Sequence, residues 1–144
     1  MGISIADAAY VAGLFDGEGS VYFKRMKQKK HQRPGKPVHN VMVIRMEIAM
    51  TDKSILVWVH EVLGVGTVNP KRYKTKYTVG WKKQWRWRCQ HRDAYLVSCA
   101  LFPYAHVKLD KIQKIIDHYA SRDLKIFNNK VVSLDEYKEY MSLE

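Results

Sequence analysis

The sequence predicts one α+β domain over residues 1–144, with the order α-β-β-α-β-β-α-α, a four-stranded antiparallel sheet and helices packed on one of its faces. Three observations carry this prediction. Two pairs of β-rich segments are separated and flanked by segments with helical apolar spacing. Within the strands the apolar residues keep to one side, so one sheet face is core and the other is free, polar and basic. The charge is also concentrated. The formal net charge is +11, and two acid-free stretches, Lys24 to Lys36 with seven Lys or Arg and Lys71 to Arg92 with nine, hold 16 of the 25 basic residues.

Each element has a local cause. Ser4 with Asp7 three residues later is a helix start, and the apolar stretch AAYVAGLF carries the first helix to about residue 16. SVYFKRMK, residues 20 to 27, is β-rich, and the Pro- and Gly-containing QKKHQRPGKPVHN after it reads as an exposed basic loop. In VMVIRMEIAM, residues 41 to 50, Met42, Ile44, Met46, Ile48 and Met50 alternate with Val43, Arg45 and Glu47, which makes the first set core and the second set open. Thr51 or Asp52 caps a helix over KSILVWVHEVLG that ends at Gly64. Two strands follow, about 66 to 76 and 78 to 89. In the second of these Trp85, Trp87 and Cys89 form the apolar edge, opposite Gln84, Arg86 and Arg88. RDAYLVSCALFPYAHVKLDKIQKIIDHYA then gives a helix, a break near Pro103, and a helix with Ile112, Ile115, Ile116 and Tyr119 on one stripe. Ser133 with Glu136 opens a last short helix.

Composition bounds the partners. A +11 charge on so small a domain points to a polyanion, and basic runs interleaved with strand-like aromatics suit nucleic acid better than a membrane surface, which favours amphipathic helices. No apolar run approaches the ~20 residues of a membrane span, and the N-terminus lacks the pattern of a secretory signal. An intracellular location is expected, in cytoplasm or nucleoid, or in an organelle if organelle-encoded. Cys89 and Cys99 are expected as free thiols. No small-molecule substrate is implied.

The stretch AYVAGLFDGEGS spans the end of the first helix and carries three glycines within seven residues, each costing about 1 kcal/mol in a helix interior against Ala. Ala9, Ala12, Gly13 and Asp16 fall along one helical stripe with almost no side chain, which lets a second helix approach closely. Gly17 and Gly19 suit a helix end and a tight turn, and Asp16 reads as a local cap. Glu18 then sits at the helix C-terminus beside carbonyls without intrahelical partners, a hard-oxygen site suited to Mg²⁺ or Mn²⁺.

VAGLFDGEG, residues 11 to 19, resembles the signature of the LAGLIDADG homing endonucleases, with Val11 for the leading Leu, Phe15 for Ile, Gly17 for the second Ala and Glu18 for the second acid. The αββαββα order extends the likeness over nearly the whole chain. The resemblance implies that the motif helices of two units pack at a twofold axis through the small stripe. It implies that Glu18 is the catalytic metal-binding acid, one from each unit, with the Gly17 carbonyl as a further ligand. PYAHVK, residues 103 to 108, is similar to the segment that places a lysine near the active site, which gives Lys108 a role on phosphate charge or the water network. The family often has a polar residue near the end of the second strand. Here Met50 departs from that pattern, with Thr51 or Lys53 as substitutes.

One motif and no internal repeat imply a homodimer, and hence a near-palindromic double-stranded DNA site. The free sheet face becomes a saddle for that DNA, with base reading by Tyr22, Lys24, Arg45, Glu47, Arg86 and Arg88, Arg suiting guanine and Glu cytosine. Lys29, Lys30 and Arg33 of the first basic loop, with Lys71, Arg72, Lys74 and Lys76, hold phosphates. A register shift of one residue would exchange these faces. The expected function is a homodimeric, metal-dependent, sequence-specific DNA endonuclease that homes a mobile intron. The alternative is a non-cleaving binder on the same scaffold, an intron RNA maturase or a transcription regulator.

Overall fold

A computed structural model of the chain describes residues 2–27, 40–71, 80 and 82–126, with side chains as far as Arg122. The elements follow the predicted order: α1 (Ile5–Glu18), β1 (Gly19–Lys27), β2 (Asn40–Met50), α2 (Lys53–Leu63), β3 (Thr67–Pro70), β4 (Trp85–Gln90), α3 (Arg92–Leu101) and α4 (Leu109–Ile126). The last two strands are shorter among the described residues than the sequence predicts. Lys29, Lys30, Arg33, Arg72, Lys74, Lys76 and the helix expected from Ser133 lie outside the described residues.

The four strands form one antiparallel sheet in the order β1-β2-β4-β3. Its helix-covered face is the one the alternation predicts. Ile44, Met46, Ile48, Trp87 and Cys89 are buried there, and Val21, Phe23, Met42, Met50 and Trp85 pack against them. The helices supply the other half of the core with Val11, Ala12 and Phe15 of α1, Leu56, Val59 and Leu63 of α2, Val97 and Leu101 of α3, and Ile112, Ile115 and Ile116 of α4. Full burial of each large apolar side chain contributes about 1.5–3 kcal/mol, so this two-layer core dominates the stability. Trp87 also donates its indole N–H to the Val65 carbonyl at 3.0 Å, which satisfies the polar atom of the largest core side chain.

Capping explains the helix limits. The Ser4 hydroxyl accepts from the Asp7 N–H at 3.1 Å, as the Ser4 spacing predicts. For α2 the cap is Asp52, not Thr51: its carboxylate accepts from the Ser54 hydroxyl and from the Ile55 and Ser54 N–H groups, and these bonds, the hydroxyl's first, hold its carboxyl below the usual range. Gly64 ends α2 in the left-handed region at φ 71°, where a side chain would be strained.

The first helix corrects the expectation at its C-terminus. It does not stop at about residue 16 but runs through Gly17 to Glu18 and passes directly into β1. Neither Gly17 nor Gly19 adopts a positive φ; Gly17 is helical and Gly19 is extended at φ −84°. Gly19 is required by packing instead. A Cβ there would collide with the Phe15 ring and lie 2.5 Å from the Phe15 carbonyl oxygen. The helix-to-strand junction is therefore closed onto the buried Phe15.

Neither Cys89 nor Cys99 is in a disulfide, as expected. Burial pushes the Cys89 thiol up to about 12, which leaves it inert at neutral pH. Among the described residues no helix is long and apolar enough to cross a membrane.

Candidate active site and nucleic-acid interface

Helix α1 has two apolar faces. One carries Ala8, Val11, Ala12 and Phe15 into the core. The other leaves Ala6, Ala9, Gly13 and Gly17 exposed along one stripe, flanked by Ile5 at 72% and Tyr10 at 56% exposure. A helix that is apolar all round belongs between two packing partners, and the single chain supplies one of them. The open stripe differs from the predicted one at two positions. Ala12 has no exposed surface, because the buried face of α1 turns it toward the sheet, and Asp16 is half-buried with its carboxylate engaged inside the chain. Ala9 and Gly13 do lie on the open side. An added Cβ at Gly13 or Gly17 would meet nothing within 4 Å.

Asp16 does cap backbone, but not locally. Its two carboxylate oxygens accept the N–H groups of His106 at 2.9 Å and Lys108 at 3.0 Å, 90 and 92 residues along the chain. These bonds fix the turn between α3 and α4 against the end of α1. The Lys108 carbonyl accepts from Ile112, which makes Lys108 the residue that opens α4. Lys108 and Glu18 are thereby brought to the same end of α1. Asp16→Ala should unpair both N–H groups and lower stability by about 1–3 kcal/mol. Amide hydrogen exchange at His106 and Lys108 checks it; protection equal to that of the unaltered protein would show that the carboxylate does not hold this turn.

Glu18 is exposed and has no ion pair among the described residues. Its position opposes the helix. The last turn of α1 contains Asp16 and Glu18 and no basic residue, so two carboxylates sit at the negative end of the helix dipole. Two donated N–H groups compensate Asp16, whereas Glu18 is left facing out beside the C-terminal carbonyls, Gly17 among them. That donor set suits a hard cation. Among the described residues no three His, Cys, Asp or Glu side chains come together as a metal site within one chain.

The register places this helix end at one end of the sheet, since Gly19 pairs with Ile48 and Met50 pairs with Trp85 two residues further on. Met50 faces the core there, so it leaves no polar group at the end of β2. Lys53 and Lys83 stand over the Trp85 ring instead, their ammonium groups 4.4 and 4.6 Å from its centroid. Lys83 is a residue that sequence reasoning missed. The only trace of it was its place in a basic run next to a tryptophan.

The uncovered sheet face carries the predicted set. Tyr22 and Lys24 of β1, Arg45 and Glu47 of β2, and Arg86 and Arg88 of β4 share the parity opposite the core, as the cross-strand pairs Tyr22 with Arg45 and Glu47 with Arg88 require. These side chains hold one another. Arg88 donates Nε and Nη2 to Glu47 Oε2 at 3.0 and 2.8 Å. The Arg45 guanidinium lies 4.5 Å from the centre of the Tyr22 ring, and the Lys24 ammonium 5.4 Å from it. Thr67 and Asn69 of β3 extend the same face and are joined by an Asn69 Nδ2 to Thr67 Oγ1 bond of 3.2 Å. Alternation in TVNP could have found them, but the segment was too short to fix its parity. Lys71 follows β3, with its N–H donated to the Gln84 carbonyl.

No protein-family model and no curated protein sequence matches the chain. Solved structures do. I-CvuI, a homing endonuclease solved with the I-CreI target in the presence of magnesium and with the DNA uncleaved, is 16% identical, with a TM-score of 0.60 over 79% of this chain and 68% of that one. The homing endonuclease I-TnaI is 14% identical, with a TM-score of 0.55 over 92% of this chain and 96% of that one. The LAGLIDADG homing endonuclease I-GzeII, in complex with its DNA target, is 17% identical, with a TM-score of 0.54 over 90% of this chain but only 40% of that one. At these identities the likeness is one of fold, and the fold is that of the LAGLIDADG homing endonucleases.

Proposed function

We propose that this chain, which carries the fold of the LAGLIDADG homing endonucleases, is a homodimeric, divalent-metal-dependent endonuclease that cuts both strands of a long, near-palindromic DNA site, as in the homing of a mobile intron. The observation that carries the reading is the double-faced α1. Its open small-residue stripe runs to an exposed acid, Glu18, at the end of a sheet whose free face is lined with arginines. Packing two copies of α1 through Ala6, Ala9 and Gly13 would bring two Glu18 carboxylates and two Gly17 carbonyls together near the axis. Structures of this fold have been solved holding DNA, which supports duplex DNA as the partner.

Glu18 and the Gly17 carbonyl would hold Mg²⁺ or Mn²⁺, which when bound supplies an activated water and stabilises the leaving 3′ oxygen. The chain's own residues do the rest. Lys108, fixed by Asp16 through its backbone, offers a positive charge to the phosphate at the same helix end. The lysines over Trp85 add positive charge at that end of the sheet. Arg45, Arg86 and Arg88 face the groove, and half-sites fall about one helical turn, near 10 bp, apart.

A second reading has one observation in its favour. Met50 is apolar and turned to the core where family members often have a polar group, which suits a non-cleaving binder, an intron RNA maturase or a transcription regulator. Incubation with a randomised duplex library, with Mg²⁺ and separately with Ca²⁺, separates the two. Cleaved near-palindromic sites with Mg²⁺ alone are expected; retained but uncut sites under both conditions would make the protein a binder.

A further inference from the structure

We infer that Arg45 and Arg88 are two pre-oriented guanine-reading groups about two base pairs apart, and that Glu47 is the positioning residue of Arg88 and reads no base itself. The inference rests on the DNA-binding reading above and deepens it to individual base positions.

The sheet register sets the geometry. Ser20, Glu47, Arg88 and Thr67 stand opposite one another across all four strands, and Tyr22, Arg45 and Gln90 form the next row on the same face. The two rows are two residues apart. At a rise of about 3.4 Å per residue this is roughly 7 Å. Nucleotides stack about 3.4 Å apart along one DNA strand, so a sheet laid along the major groove offers its rows to positions about two base pairs apart.

Each arginine is held before any ligand arrives, by a different device. A guanidinium has five N–H donors. In Arg88 the Nε and one Nη2 donor are both taken by a single Glu47 oxygen, which fixes the plane and leaves the Nη1–Nη2 edge to face a base. That edge matches the O6 and N7 acceptors of guanine. Arg45 has no carboxylate partner among the described residues, and its Nε is buried without a hydrogen-bond partner. The Tyr22 ring directly across the strand pair orients it instead. Glu47 is mostly buried, with only 18% of its side chain exposed beside Arg88 at 24%. An acid on a surface that meets phosphates is repelled by them unless it is compensated, and Arg88 provides that compensation. The carboxylate therefore acts on DNA through the arginine it holds.

Binding-site selection from a randomised duplex library in Ca²⁺ tests this with the unaltered protein and with Arg88→Ala, Glu47→Ala, Glu47→Gln and Arg45→Ala. The unaltered protein should select two guanines about two base pairs apart in each half-site. Arg88→Ala and Glu47→Ala should both lose preference at the same guanine, by about 10-fold or more, and Arg45→Ala at the other alone. Glu47→Gln keeps an acceptor oxygen and should restore part of the preference. It should also raise affinity for unrelated duplex and steepen the salt dependence, because one negative charge is gone. Unchanged unfolding midpoints would show that the variants act on the open face and not on the core. Loss of a cytosine preference in Glu47→Ala, at a position that Arg88→Ala leaves intact, would overturn the inference and make Glu47 a base reader. Retention of duplex DNA without sequence preference by the unaltered protein would overturn it while sparing the interface. Failure to retain duplex at all would overturn the DNA-binding reading itself.

Discussion

Glu18→Gln is expected to lower cleavage by on the order of 10³-fold or more while leaving sequence-specific DNA binding nearly intact, a loss of about 4 kcal/mol of transition-state stabilisation. The side chain keeps its length and one carbonyl oxygen but loses the negative charge that attracts a hard cation. Folding should not suffer. Glu18 is exposed, has no ion pair among the described residues and sits at the unfavourable end of the α1 dipole, so neutralising it relieves the helix slightly. Cleavage rates in Mg²⁺ and gel-shift titrations in Ca²⁺ on the selected site give the two readouts. A parallel loss of binding, or of the dimer, would make Glu18 a structural residue and remove it from the chemistry.

Gly13→Leu should have the second large effect, on assembly. In the single chain a Cβ at Gly13 meets nothing within 4 Å, and Leu is a better helix former than Gly by roughly 0.5–1 kcal/mol. The isolated monomer should therefore be as stable as before, or slightly more so. Between two copies of α1 the same side chain would hold the helices apart, since their separation is set by the residues at the crossing. Sedimentation should show a monomer with an intact fold, and cleavage should vanish because the proposed site needs the Glu18 carboxylates of two chains. An unchanged dimer would remove this face of α1 from the interface and leave Ile5 and Tyr10 to be explained otherwise. The contrast between a gain in monomer stability and a loss of assembly separates this outcome from simple misfolding.

Much of this architecture was legible in the sequence because its causes are local. The Ser4 cap, the Gly64 helix end and the stripe of Ile112, Ile115, Ile116 and Tyr119 are each set by residues within a few positions of one another. The strand parity was equally readable. Met42 to Met50 alternate cleanly enough that both sheet faces could be assigned, and with them the side on which Arg45, Arg86 and Arg88 stand. The small-residue stripe of α1 was visible too, although its rotation was not. Helical periodicity places Ala9, Ala12, Gly13 and Asp16 on one broad side, and only the packing of α1 on the sheet divides that side into buried Ala12 and open Gly13.

Short-range patterns of burial, charge and backbone preference in the sequence set the order of the elements, the basic open face and the acid at the end of the motif helix, while the end of α1 and the described lengths of β3 and β4 depart from those patterns. Tertiary structure alone decided what those residues do to one another. Asp16 finds its partners 90 and 92 residues away, and Arg88 meets Glu47 across 41. The strand order β1-β2-β4-β3 creates the second contact, and the packing of α1 beside the turn before α4 creates the first. Gly19 is a more local case: its glycine signals a turn, but the requirement comes from the buried Phe15 ring, four residues earlier, that closes over it. The physical reason is common to the two long-range contacts. A local pattern fixes which face a side chain occupies, whereas its partner on that face depends on which distant segment the folded core brings alongside.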